Sequence, residues 1–220
     1  MLAALREEVY AMHLELVRWG LVSWTSGNVS GRDPDSGLVV IKPSGVRYEE
    51  LRPDLLVVVN ADGQTVEGTL APSVDTATHL FLYRRLPRIG GVVHTHSPYA
   101  TAFAALKRAI PVYLTSMADV FGGPIPCAEY APVGTEAIGE AAVRFLHSSP
   151  VVLLAHHGVL AVGETPTAAT RAAVLTEDAA RICYLALQMG KPEELPADEV
   201  RRAYEFHRSR YGQRNAEAHR

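Results

Sequence analysis

Polar residues break the apolar stretch 2–19 at Arg6, Glu7, Glu8, His13, Glu15 and Arg18, a pattern that predicts an amphipathic helix and excludes a signal-peptide core or membrane span. Similar alternation predicts helices near 74–85, 97–106, 134–147, 166–189 and 198–210. The runs 38–42, 55–60, 91–96, 112–114, 151–155 and 159–162 are short, rich in Val and Leu and bounded by turn residues, which suits strands. Several early strands follow one another without helical spacing, so a regular βαβ alternation is absent and the sheet is expected to be mixed and largely antiparallel. The predicted fold is a single α/β domain over residues 1–220, with three α/β/α layers.

Composition agrees with one soluble domain: 220 residues, 48% apolar and 20% charged. A formal charge of −3 gives no general affinity for nucleic acid or an acidic membrane surface. Cys127 and Cys183 are too few and too far apart for a disulfide framework or a thiolate zinc site, and a reducing cytoplasm is the expected compartment. No GxGxxG, Walker or GxSxG motif is present.

Candidate chemistry begins at His94-Thr95-His96. Residues i and i+2 of a strand point the same way about 6.6 Å apart, so both rings can converge on one ion. A third imidazole comes from His156-His157, of which at most one should join, since adjacent strand residues face opposite sides. Asp75 is a candidate carboxylate, read equally as a first-turn acid favoured by the helix dipole with Ser73 as N-cap. His79, one turn on, is a rival ligand or a packed helix residue. Three neutral imidazoles and one carboxylate leave a divalent ion with net positive charge and an open position, able to polarise a carbonyl and stabilise an enediolate.

A second group consists of turns: Ser26-Gly27-Asn28, Lys42-Pro43-Ser44-Gly45 and Ser73. Each alone is an ordinary turn. Together they offer backbone amides, hydroxyl and amide donors and one cation, the makings of a phosphate cradle. Lys42 stands out because the chain has three Lys against eighteen Arg. Asp119, among apolar neighbours, and Tyr211, near the C-terminus, are proton-transfer candidates that also read as a turn former and a packing residue.

The segments Thr25-Ser26-Gly27-Asn28-Val29-Ser30, Val40-Ile41-Lys42-Pro43-Ser44-Gly45-Val46, Pro72-Ser73-Val74-Asp75-Thr76-Ala77-Thr78-His79 and Gly90-Gly91-Val92-Val93-His94-Thr95-His96-Ser97 resemble, in order and spacing, the class II aldolase/adducin-head family. The resemblance continues through Ala118-Asp119-Val120-Phe121-Gly122-Gly123, His157-Gly158 and Tyr211-Gly212-Gln213. It implies a Zn2+ site, or one for another divalent ion such as Mn2+ or Co2+, with His94, His96 and His157 as ligands and Asp75 as acidic ligand or nearby base. Gly27, Asn28, Lys42, Ser44, Gly45 and Ser73 would hold the phosphate of a small phosphorylated sugar. Asp119 and Tyr211 would form an acid/base pair, the 198–220 tail bringing the tyrosine to a neighbouring subunit of a homotetramer with sites at its interfaces.

The implied activity is C4 epimerisation of a ketopentose phosphate, L-ribulose 5-phosphate to D-xylulose 5-phosphate, by retro-aldol chemistry. Alternatives are cleavage of a ketose phosphate such as L-fuculose 1-phosphate, with or without a Schiff base at Lys42, decarboxylation of a sugar-acid phosphate, and a non-catalytic adducin-like module. Val74 departs from the family pattern by removing a second serine from the phosphate turn.

Overall fold

The computed structural model describes residues 2–210, and within them one sheet carries helices on both faces. The elements are α1 (Ala3–Arg18), β1 (Asn28–Arg32), β2 (Val39–Ile41), β3 (Val57–Val59), β4 (Thr65–Glu67), α2 (Thr76–Arg85), β5 (Gly91–Thr95), α3 (Pro98–Ala105), α4 (Thr115–Phe121), β6 (Cys127–Ala128), α5 (Ala137–Leu146), β7 (Val151–Leu154), β8 (Gly158–Gly163), α6 (Pro166–Met189) and α7 (Ala197–Arg210). The strand order is β4-β3-β2-β1-β5-β8-β7-β6. Neighbours run antiparallel except β6 and β7, so the mixed, largely antiparallel sheet expected from strand spacing is found.

Continuous apolar runs become two-sided strands because successive side chains alternate between faces. Val40, Val58, Val93, Val151, Leu153, Val159 and Ala161 join the core beneath α1, α3 and α6. Their neighbours Val39, Val57, Val59, Val92, Val152, Leu154, Leu160 and Val162 pack against α2 and α5 on the other face. His94 follows Val92 by two residues and therefore faces the α2 layer.

One predicted strand is absent and several observed elements are unpredicted. Residues 112–114 form no strand: the Val112 carbonyl accepts from the Leu195 amide, and the chain turns directly into α4, which the sequence pattern does not predict. Asn28, expected in the turn 26–28, instead begins an unpredicted strand over 28–32 that lies between β2 and β5. β1 contains a single large aliphatic, Val29, so its hydropathy conceals it. Its buried Ser30 is satisfied by His79 and Tyr83 of α2, at 2.7 and 2.8 Å, which makes a polar strand tolerable inside the sheet. The short β4 and β6 are likewise unpredicted.

Candidate active site

At the end of β5, His94 lies beside the start of β8, and the β7–β8 turn brings His157 back over it. The ligand nitrogens of His94, His96 and His157 all lie within 4.8 Å of one another. Burial is graded outward: His94 is buried, His157 half-buried and His96 exposed, so the cluster opens to solvent on one side. His156 takes φ +57° and is exposed, which leaves His157 alone to join the pair. Gly158 permits the close approach, because a Cβ there would stand 2.4 Å from the Thr95 carbonyl oxygen and 2.8 Å from the His96 ring. Glu177 of α6 secures the segment after His96 by accepting from the Tyr99 and Ala100 amides, each at 2.9 Å, at the start of α3.

These imidazoles suit a metal ion. His94 Nδ1–H donates to the Val159 carbonyl at 2.9 Å, which fixes the tautomer and leaves Nε2 with its lone pair toward the cluster. That Nε2 lies 3.0 Å from Nε2 of His96, close to the roughly 3.3 Å that two nitrogens adopt around a tetrahedral Zn²⁺. Burial pulls His94 down to about 3 and lowers His96 and His157 as well, which favours the neutral, ligating form of all three.

Asp75 falls outside this group of ligand atoms. It immediately precedes α2, where its Oδ2 accepts from Asn28 Nδ2 at 2.7 Å. Burial pushes its carboxyl upward, but the positive charge that His94 and His79 can carry, with the Asn28 bond, outweighs this and holds it below the usual carboxylate range. Asp75 thus stands beside the cluster as an ionised carboxylate, outside the 4.8 Å group that the three imidazoles form. His79 also lies outside that group: it is fully buried, with Nδ1 bound to Ser30 at 2.7 Å.

The three turns do meet. Asn28 Nδ2 also donates to Ser73 Oγ at 3.1 Å, and the Ser73 amide donates to the Lys42 carbonyl at 3.0 Å. Lys42 is 1% exposed, and its ammonium donates to the carbonyls of Thr25, Pro43 and Val46 at 3.3, 3.5 and 2.6 Å. All three N–H donors are thereby directed at backbone oxygens, which disfavours Lys42 as a Schiff-base nucleophile although burial lowers its pKa. Ser44 and Gly45 form the exposed lip of the same turn. Gly27, at φ +74°, passes so near β5 that a Cβ would stand 2.9 Å from the His94 carbonyl oxygen. Tyr48, which the sequence reading overlooks, ties the turns together by donating to the carbonyls of Ser26 and Gly27 at 2.8 and 3.1 Å.

Asp119 is not brought to the imidazoles. It lies on α4 and lines a groove of about 440 Å³ with Arg88, Pro150, Gly163, Glu164 and His207. That is the end where β8 finishes, whereas His157 immediately precedes its start, a strand length of roughly 16 Å away. Tyr211 lies outside the described residues.

His13 supports the cradle from below. Its Nε2 accepts from the Val29 amide at 2.9 Å and its Nδ1–H donates to the Val9 carbonyl at 2.7 Å, so the neutral ring bridges α1 and β1. Burial pulls its pKa to about 3. Between pH 3 and 6.5 the unfolded chain binds a proton here that the folded one does not, so stability falls as pH drops below 6.5, by about 1.4 kcal/mol per pH unit. In urea unfolding between pH 6.5 and 5, His13→Gln is expected to show a slope shallower than the parent's by that amount. Parallel slopes would show that His13 is not held neutral.

The model of the Class II Aldolase and Adducin N-terminal domain matches residues 7–184. The chain belongs to this family. L-ribulose-5-phosphate 4-epimerase UlaF of Salmonella paratyphi B is 46% identical over 196 residues, covering 83% of this chain and 85% of that protein, and UlaF of Salmonella typhi matches equally. Among solved structures, an L-fuculose 1-phosphate aldolase superposes with a TM-score of 0.88 at 32% identity, covering 93% of this chain and 96% of its own. The L-fuculose-1-phosphate aldolase of Thermus thermophilus does so at 0.74 and 27%, covering 87% and 98%. The class II aldolase resemblance and the fold implied by it therefore hold. Among the described residues no helix is long and apolar enough to cross a membrane.

Proposed function

We propose that this class II aldolase-family chain is a metal-dependent L-ribulose-5-phosphate 4-epimerase, with sites completed between subunits of a homotetramer in the cytoplasm. The observation that carries the reading is the convergence of His94, His96 and His157 beside the cradle formed by Asn28, Lys42 and Ser73. An all-imidazole set with an open side favours Zn²⁺, Mn²⁺ and Co²⁺ being the alternatives that metal analysis would distinguish. When bound, such an ion supplies Lewis acidity toward a ketose carbonyl and the negative charge that develops on it.

The side chains divide the remaining work. Gly27, Asn28, Ser44, Gly45 and Ser73 hold the substrate phosphate in the positive field of Lys42. Asp119 and Tyr211, from a neighbouring subunit, serve the two faces of C4 as base and acid. One takes the C4 hydroxyl proton, the C3–C4 bond breaks, and its electrons pass toward C2, leaving glycolaldehyde phosphate. The anchored phosphate keeps that fragment in place while the aldehyde turns. C3 then attacks its other face, and the second group returns a proton to the C4 oxygen. Asp75, kept ionised beside the imidazoles, can take the C3 hydroxyl proton.

The aldolase reading differs only in releasing the aldehyde. Incubation with L-ribulose 5-phosphate is expected to yield D-xylulose 5-phosphate without accumulation of glycolaldehyde phosphate. Accumulated aldehyde would select the aldolase, and no turnover by metal-loaded protein on pentulose or hexulose phosphates would remove both.

A further inference from the structure

Trp24 is large, 70% exposed and held at φ +58°, a backbone region that a bulky side chain such as tryptophan rarely adopts. Ordinary packing does not explain it, since most of the indole touches solvent. What it does touch is Arg47, whose guanidinium carbon stands 4.2 Å from the ring centroid. The two belong to different turns joined at their flanks. Lys42 ties Thr25, next to Trp24, to Val46, next to Arg47. Tyr48, on the other side of Arg47, ties to Ser26 and Gly27. The pair therefore stands at the rim of the cradle, beside the lip made by Ser44 and Gly45, where a Cβ on Gly45 would meet nothing within 4 Å.

The cradle lacks a charged group free to donate a hydrogen bond to a phosphate dianion. The Lys42 donors are all directed at carbonyls, so Lys42 contributes charge but no free hydrogen bond; the Asn28 amide is likewise directed at Ser73 and Asp75, and the Ser73 hydroxyl is neutral. Arg47 has five donors on a fixed fork, and its ion pair, with Glu49 at 3.2 Å, is with a side chain 71% exposed and so weakened by water. Stacking on the indole removes rotamer freedom that binding would otherwise have to remove.

We propose that Arg47, braced on Trp24, is a further substrate-binding residue that hydrogen-bonds the outer oxygens of a phosphate monoester in the cradle above Lys42. This rests on reading the cradle as the phosphate site, and the test separates the two claims. Binding of inorganic phosphate to the zinc-loaded protein is measured by calorimetry, alongside KM for the sugar phosphate. Arg47→Ala is expected to weaken phosphate binding about tenfold or more and to raise KM in parallel, the usual weight of a charge-assisted pair. Trp24→Gly suits the backbone, so its thermal stability is expected to hold or rise while phosphate binding weakens about threefold, a divergence that a purely structural tryptophan would not produce. Ser73→Ala is the control for the cradle itself. If Ser73→Ala weakens phosphate binding and Arg47→Ala does not, the proposal is overturned and the cradle stands. If neither variant changes it, the cradle is not the phosphate site, and both claims fall.

Discussion

Replacing His96 with glutamine is expected to abolish stoichiometric metal binding and to lower turnover about 10³-fold or more, while the protein still folds. The size follows from what is removed: loss of one hydrogen-bond donor to a developing oxyanion typically costs about 10²–10³ in rate, and an ion with a formal charge does more. Folding is spared because His96 is exposed and its hydrogen-bond partner, His94, belongs to the cluster itself. His94→Gln would be a poorer test, since it also removes the bond from β5 to the Val159 carbonyl inside the sheet. Metal content after dialysis, by atomic emission, and the melting temperature with and without added Zn²⁺ would check the prediction. The parent should gain stability from the ion by mass action, and the variant should gain none. A His96→Gln protein that retains one ion per chain and the parent rate would rule out the metal centre.

The imidazole cluster was legible in the sequence because its signals are local. His94 and His96 share a strand face by the two-residue period, and the His157-Gly158 pair follows a strand end, so alternation alone limits each segment to a few choices. The fold class was legible for the same reason, since apolar runs bounded by turn residues mark strands whatever their partners. The misses arise where tertiary partners override local pattern. Asn28 lies in a strand because His94 of β5 is its register partner, and Ser30 is tolerable there because His79 and Tyr83 reach it from α2, neither of which a five-residue window can reveal. Asp75 has a ligand's position in its motif, but its bond to Asn28, 47 residues away, leaves no local signature. Tyr48 and Trp24 leave no spacing signature in the sequence, because their partners are backbone carbonyls and a guanidinium from another turn.

Mixing two inactive variants is expected to restore activity, and this follows from the position of Asp119. Within one chain it lies at the far end of β8 from the imidazoles, so a proton exchanged between Asp119 and a sugar held near His94 requires a second copy. The exposed apolar side chains Trp19, Leu106, Tyr184, Leu185 and Phe206 supply surface that such copies could cover. Asp119→Asn alone should slow turnover about 10²–10⁴-fold with metal content unchanged, the range for loss of a general acid or base. His96→Gln alone should be inactive for lack of metal. On the proposed reading, each active centre of the co-expressed mixture would draw its imidazoles from one subunit and its carboxylate from the neighbour, and random assembly would leave about one quarter of the centres with both intact. Recovery to about one quarter of the parent rate is therefore the expected result, and Tyr211→Phe should complement His96→Gln in the same way. If Asp119 instead served its own chain's imidazoles, every centre would carry one defect and the mixture would be no more active than its components. The comparison is insensitive to how far either substitution disturbs packing, because a destabilised subunit can only lower the recovered rate, whereas any recovery above the sum of the components requires the two groups to meet across an interface.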